Sequence, residues 1–218
     1  MEPSSAADPV HVRAFGPTAL LAEVDDAAAA LALATWLRER GVAAADVVPA
    51  ARTVLLDGLD PADVGPTRAL LAGWRGQPIA GGDRRPAGGG PVVELAVVYD
   101  GPDLDDVADL WGVSREEAMA RHTGLELVSV FCGFAPGFAY LSGLPAQWAV
   151  PRLGTPRTRV PPGSVALADT WCGVYPTASP GGWRLLGRTS ASLWDVDRDP
   201  PALLAPGTRV RFVAAEAP

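Results

Sequence analysis

The chain has 218 residues, 48% hydrophobic and 20% charged, with a formal net charge of −7. That length suits one large domain or two small ones with a packed apolar core, while the negative charge argues against nucleic acid and anionic membrane surfaces as partners. All 18 basic residues are arginine, which excludes a Schiff-base lysine, a phosphate-loop lysine and a biotin-accepting lysine on this polypeptide.

The opening MEPSSAADP is acidic and has no apolar run behind a basic cluster, so it does not read as a signal peptide. Residues 10–15 and 19–24 read as a hairpin about Gly16-Pro17. Asp25 or Asp26 can cap a helix to about Arg40, with Leu31, Leu33, Trp36 and Leu37 on its apolar side and Gly41 as its stop. Residues 27–37, the most apolar stretch, fall far short of the roughly 20 residues that a bilayer span requires, and a cytoplasmic protein is expected. Residues 46–49 and 53–57 form a second predicted hairpin, and Asp60-Pro61 opens a helix to about Trp74. The order ββαββα implies a small α/β unit over residues 1–78, with helices on one face of its sheet.

Residues 79–91 read as a linker inside a Gly-, Pro- and charge-rich stretch; the alternative is a long loop within one domain. Residues 92–218 make the second domain. A strand is expected over 92–99, helices over 104–111 and 115–122, and strands over 126–131, 165–168, 173–175, 183–187 and 209–213. Ser114 and Glu117 have capping-box spacing. Many strands joined by Gly/Pro turns, with two early helices, predict a closed or nearly closed β-barrel. The fold class is therefore an α+β N-terminal domain followed by a mainly-β barrel domain. Cys132 and Cys172 are too few for a disulfide framework or a zinc site, and read as core residues. His122 ends a predicted helix, where an imidazolium complements the dipole. No metal site is expected.

No GxxxxGK[ST], HExxH or GxSxG occurs, and Ser164 reads as a turn residue entering a strand. Rings, backbone amides and arginines remain, concentrated in residues 131–189. Gly133, Phe134, Pro136, Gly137, Phe138 and Tyr140 set aromatic walls around glycines that permit close approach to a ligand. Tyr175 and Trp183 add rings. Ser179-Pro180-Gly181-Gly182-Trp183 reads as a tight turn whose N–H groups, at Gly181 and Gly182, can form an anion nest. Arg152 and Arg157 each follow a proline that stiffens the backbone, and Arg188 lies between Gly187 and Thr189. Such guanidinium forks suit carboxylate or phosphate. These three arginines are the candidate catalytic residues, and the glycines, rings and Pro136 the candidate substrate-binding residues. Packed turns and surface ion pairs are the alternative reading of the same residues.

The run FCGFAPGFAYLSGLP, followed in order by PRLGTPRTRVPPGSVA, GVYPTASPGGWRLLGRT, LWD and PALLAPGTRVRF, resembles the PxpB family, the B component of 5-oxoprolinase, also called KipI-like or allophanate hydrolase subunit 1. ELAVVYDGPDLDDVA upstream and, more loosely, GPTALLAEV fit the same pattern. The resemblance implies a cyclophilin-like barrel and an ATP-dependent hydrolase that opens 5-oxo-L-proline to L-glutamate. It also implies work with a PxpC/KipA-like subunit (allophanate hydrolase subunit 2) and a PxpA-like LamB/YcsF protein, with ATP handled through the complex and no activity of the chain alone. Family relatives also suggest two alternatives, a carboxyltransferase-type component acting on urea or allophanate and an inhibitor of a sensor histidine kinase. Arg188 stands where some relatives carry His, and an arginine cannot serve as a proton shuttle there.

Overall fold

A computed structural model of the chain describes residues 10–76 and 92–216. The chain divides into two compact units, Met1–Ala87 and Gly88–Pro218. The expected linker over 79–91 lies outside the described residues.

In the first unit, β1 (His11–Ala14) and β2 (Leu20–Glu23) form the first hairpin, α1 (Ala27–Glu39) follows, β3 (Asp46–Pro49) and β4 (Thr53–Asp57) form the second, and α2 (Val64–Ala72) ends the unit. The sheet order is β1-β2-β4-β3, antiparallel throughout. Asp26 caps α1 by accepting the Ala29 N–H at 2.8 Å, and Gly41 leaves the helix with φ of 62°, as its position predicts. α2 begins later than expected. Asp60 accepts the Ala62 N–H at 2.8 Å and makes a turn of the Asp60-Pro61 segment, so helical bonding starts only at Val64. Leu20, Leu33, Leu37, Leu56 and Leu71 are fully enclosed between sheet and helices.

The second unit runs β5 (Val92–Val97), α3 (Leu104–Trp111), α4 (Arg115–Thr123), β6 (Leu127–Cys132) and β7 (Ala139–Ser142). A 3₁₀ turn at Ala146–Trp148 precedes β8 (Arg157–Val160), β9 (Ser164–Ala168), β10 (Trp171–Val174), β11 (Ser179–Gly181), β12 (Arg184–Arg188) and β13 (Arg209–Ala214). Seven strands make one sheet in the order β12-β9-β10-β7-β6-β13-β5, and β11 pairs with β8 in a small second sheet. β13 and β5 are parallel. The two edges of the large sheet meet: Val98 and Arg188 exchange backbone hydrogen bonds of 2.9 Å, Gly101 donates to the Leu186 carbonyl at 3.1 Å, and Asp103 donates to that of Leu185 at 3.1 Å. The result is the nearly closed barrel expected from the strand pattern.

Three strands were not among those expected, one of them where a turn was read. β7 and β8 are four residues each, and β11 is a three-residue strand containing Pro180. The tight-turn reading of residues 179–183 is therefore corrected. Ser179 and Gly181 pair with Val160 and Arg157 across the β11–β8 ladder, so this stretch does not curl its amides into a nest. Proline is tolerated there because the ladder is a two-stranded edge.

The Ser114 cap of α4 forms, accepting the Glu117 N–H at 3.2 Å. Glu116, rather than Glu117, turns back to the cap; hydrogen bonds from its own backbone N–H and from Ser114 hold its carboxyl below the usual range. His122 also differs from expectation. It is completely buried, stacked on Phe212 at 4.7 Å, with Nδ1 2.7 Å from the Tyr99 hydroxyl and Nε2 3.4 Å from the Cys172 sulfur. Burial pulls its pKa down to about 3, so it is neutral and serves the core rather than the helix dipole. Burial likewise pushes the Tyr99 hydroxyl and the Cys172 thiol up. Cys132 and Cys172 are both free. Among the described residues, no helix is long and apolar enough to cross a membrane, and no group of three or more His, Cys, Asp or Glu is placed to hold a metal.

The lowered pKa of His122 has a defined sign. Between pH 6.5 and about 3 the unfolded chain binds a proton at this position that the folded chain does not, so its contribution is complete above pH 6.5 and is lost as pH falls. Urea unfolding followed by tryptophan fluorescence should show stability declining toward acid with a His122 component of up to about 1.4 kcal/mol per pH unit. That component should be missing in His122→Gln. Parallel pH profiles for the two proteins would contradict the buried neutral imidazole.

Candidate functional site

Residues 133–138 form a compact turn between β6 and β7. Gly133 donates to the Phe138 carbonyl at 3.2 Å, Ala135 to that of Gly133 at 2.8 Å, and Phe138 to that of Ala135 at 2.9 Å. The turn holds Phe134 in the left-handed region at φ 69°. Such a backbone is costly for a bulky residue and persists only when its surroundings impose it. Its ring is 62% exposed, whereas Phe138 beside it is 2% exposed.

Phe138 is the hub of an aromatic cluster. Phe134, Tyr140, Tyr175 and Trp183 surround it edge-to-face, with centroid distances of 5.3, 5.2, 5.4 and 5.4 Å. This geometry sets positive ring edges against negative ring faces. Gly173 on β10 leaves room for it, since a Cβ there would sit 3.1 Å from both Phe138 and Trp183. Gly181 does the same for Tyr175, whose hydroxyl and ring occupy the space of a Cβ. Burial raises the Tyr175 pKa, partly offset by the Trp183 backbone N–H bonded to its oxygen and by the nearby Arg152 charge.

The rings open on a hollow of about 320 Å3. Phe134, Phe138, Tyr140, Tyr175, Gly181 and Trp183 line it together with Arg152. Arg152 makes no ion pair among the described residues. Ala168, Asp169, Trp171 and Pro180 complete the lining, and sequence reasoning missed all four. Asp169 sits in the β9–β10 turn at φ 54°, and its backbone exchanges hydrogen bonds with Val150, two residues before Arg152. That bridge brings a carboxylate and a guanidinium from separate segments to one wall. The two non-glycine residues described with positive φ, Phe134 and Asp169, both border this hollow. Asp169-Thr170 is a turn signal between two strands, but nothing in it names the cavity.

Other candidates have different places. Gly137, at φ 85°, packs on the 193–194 backbone, where a Cβ would come within 2.9 Å of Trp194 Cβ. Gly182 uses its carbonyl to accept the Leu153 N–H at 2.8 Å. Gly133 and Pro136 shape the turn without lining the hollow. Arg157 and Arg188 line a second hollow of about 370 Å3 that shares no lining residue with the first. Arg157 Nη2 donates to buried Asp103 at 2.7 Å, and Arg188 Nε to Asp100 at 2.8 Å. Ser164 begins β9 and donates its hydroxyl to the Pro161 carbonyl at 2.8 Å, in keeping with a turn role.

Residues 10–204 match the family described as carboxyltransferase domain, subdomain C and D; the chain belongs to this family. It is 50% identical over 124 residues to the 5-oxoprolinase B subunit of Escherichia coli O157:H7, a match covering 56% of this chain and 57% of that protein. It is 44% identical over 125 residues to the 5-oxoprolinase B subunit of Bacillus subtilis, covering 56% and 52%. The matches thus span little more than half the length of these curated relatives, and they bear out the resemblance read in the second half of the chain. Among solved structures, TTHA0988 superposes with a TM-score of 0.74 at 36% identity, over 95% of this chain and 41% of that one. The Kluyveromyces lactis urea carboxylase superposes with a TM-score of 0.67 over 99% of this chain and 23% of its own, at 16% identity, a likeness of fold.

The packing around Gly181 gives a direct test. Gly181→Ala should displace Tyr175, lower stability by about 1–3 kcal/mol and alter the near-ultraviolet circular dichroism of the ring cluster. An unchanged denaturation midpoint and spectrum would contradict the contact between Gly181 and the tyrosine ring.

Proposed function

We propose that the chain is the B subunit of a prokaryotic 5-oxoprolinase, a cytoplasmic assembly that opens 5-oxo-L-proline to L-glutamate with ATP. The observation that carries this reading is the presence of one guanidinium, Arg152, and one carboxylate, Asp169, not bonded to each other, on the lining of a hollow of about 320 Å3 walled by aromatic rings. 5-Oxoproline presents the complementary groups: a flat five-membered lactam, a carboxylate and a ring N–H. In this account the carboxylate pairs with Arg152, the lactam N–H donates to Asp169, and Phe134, Phe138 and Trp183 wall the ring. The naming of the relatives as 5-oxoprolinase B subunits supports the reading. The carboxyltransferase alternative acting on urea has the family description and a likeness of fold at 16% identity behind it, but no relative of comparable identity.

An unstrained lactam is a poor electrophile, and in this account ATP activates it by transferring its γ-phosphoryl group to the lactam oxygen with release of ADP, after which water adds to the activated carbon, the ring C–N bond breaks and phosphate departs. The contribution of this chain is binding and orientation: a fixed cation sets the carboxylate, and a dry aromatic wall keeps water from the ring face. The lining of the hollow has no histidine and a single carboxylate, Asp169, and in this account the remaining proton transfers fall to groups from other subunits. We assign these to a PxpC/KipA-like subunit and a PxpA-like LamB/YcsF protein, leaving the chain inactive by itself. The barrel is read as the family's cyclophilin-like unit.

Arg152→Ala in the reconstituted complex should lower kcat/KM for ATP-dependent glutamate release roughly tenfold or more, the size expected for a lost charge-assisted contact. The melting temperature of the isolated chain should not change. Wild-type kcat/KM in this variant would remove Arg152 from the site.

A further inference from the structure

We propose that the second hollow, where Arg157, Arg159 and Arg188 converge, is a binding site for a phosphate group. β8 supplies two of the arginines. Side chains alternate along a strand, so Arg157 and Arg159 share one face while Val160 is buried on the other. Arg188 comes from the end of β12, opposite Ser164 of β9 in the ladder. All three border a single hollow of about 370 Å3.

The chemistry of the lining selects the ligand. Pro102, Pro161 and Pro162 offer no backbone N–H, and the Ser164 hydroxyl is committed to the Pro161 carbonyl. The donors left for a ligand are guanidinium groups. No aromatic ring borders this hollow, unlike the first, so it lacks the apolar wall that holds an organic ring. Carboxylates pre-set two of the arginines: Asp103 holds Arg157 at 2.7 Å and Asp100 holds Arg188 at 2.8 Å. Both pairs leave guanidinium capacity over. Arg188 uses only its Nε on Asp100, and Arg159 has no ion pair among the described residues. Three cations face two carboxylates and leave one positive charge in excess. Several converging forks suit a tetrahedral anion with many acceptor oxygens, and in a chain without lysine this task falls to arginine. The site does not depend on which substrate the aromatic hollow takes.

The test is calorimetric titration of the full chain with sodium orthophosphate and, separately, with ATP, at constant ionic strength set by sodium chloride. Saturable binding of orthophosphate is expected. The Arg159→Ala, Arg188→Gln double variant should weaken it at least roughly tenfold, while Arg152→Ala retains wild-type phosphate affinity because it lines the other hollow. Both substituted side chains in the double variant are exposed, so its melting temperature without ligand should match wild type. ATP binding roughly tenfold tighter than orthophosphate identifies a nucleotide as the source of the phosphate; equal or weaker ATP binding identifies the free ion. Absence of saturable binding of either probe, equal affinity in the double variant, or an equal loss in Arg152→Ala would overturn the proposal. Because binding is read on the chain alone, its outcome is separate from that of the 5-oxoprolinase assay.

Discussion

Backbone pairing between residues 98–103 and β12 closes the barrel, and the placement of the polar groups follows from it. Val98 and Arg188 bond each other, Gly101 bonds Leu186, and Asp103 bonds Leu185 through both its backbone N–H and, at 2.7 Å, its carboxylate. Side chains are excluded where the two segments press together. A Cβ on Gly101 would strike the Leu185 carbonyl, and one on Gly187 would strike that of Val98. The seam continues into side-chain chemistry because Asp103, buried at its end, also holds Arg157. A buried carboxylate left without its partners is strongly destabilising, by about 3–5 kcal/mol. The closure and the orientation of Arg157 are thus one structural unit.

The seam explains why the arginines divide between two hollows. Arg188 gives its backbone to the closure and its side chain to the second hollow, where Asp100 meets it. Arg152 belongs to another constraint, the Val150–Asp169 bridge, which sets it beside the ring cluster. One hollow is aromatic with a single cation and a single carboxylate; the other is lined by arginine and proline. A ring-bearing acid suits the first and a compact polyoxygen anion the second. The proposed lactam hydrolysis would use both chemistries, and the naming of the relatives as B subunits implies further subunits.

Much of this architecture was legible in the residues. The hairpin at 46–49 and 53–57 and the helix at 104–111 are expected from the sequence, and both occur at those residues. Legibility failed where strands were very short or contained proline. β8 and β11 carry little alternation of their own and exist because each pairs with the other. His122 misled because a helix-end position suggests an exposed cation, whereas Tyr99, Cys172 and Phe212 arrive from distant segments to bury it. At the site, Phe134, Phe138, Tyr140 and Trp183 were readable as a local aromatic motif. Asp169 and Trp171 were not, since only the fold of β9 against β10 brings them to the rim.

The most direct measurement is a crystal structure of the chain soaked with 5-oxo-L-proline. The account predicts the lactam ring against Phe138 and Trp183, its carboxylate on Arg152 and its N–H on Asp169. Ordered ligand in the arginine-lined hollow, or an aromatic hollow that stays free of ligand at saturating concentration, would contradict it.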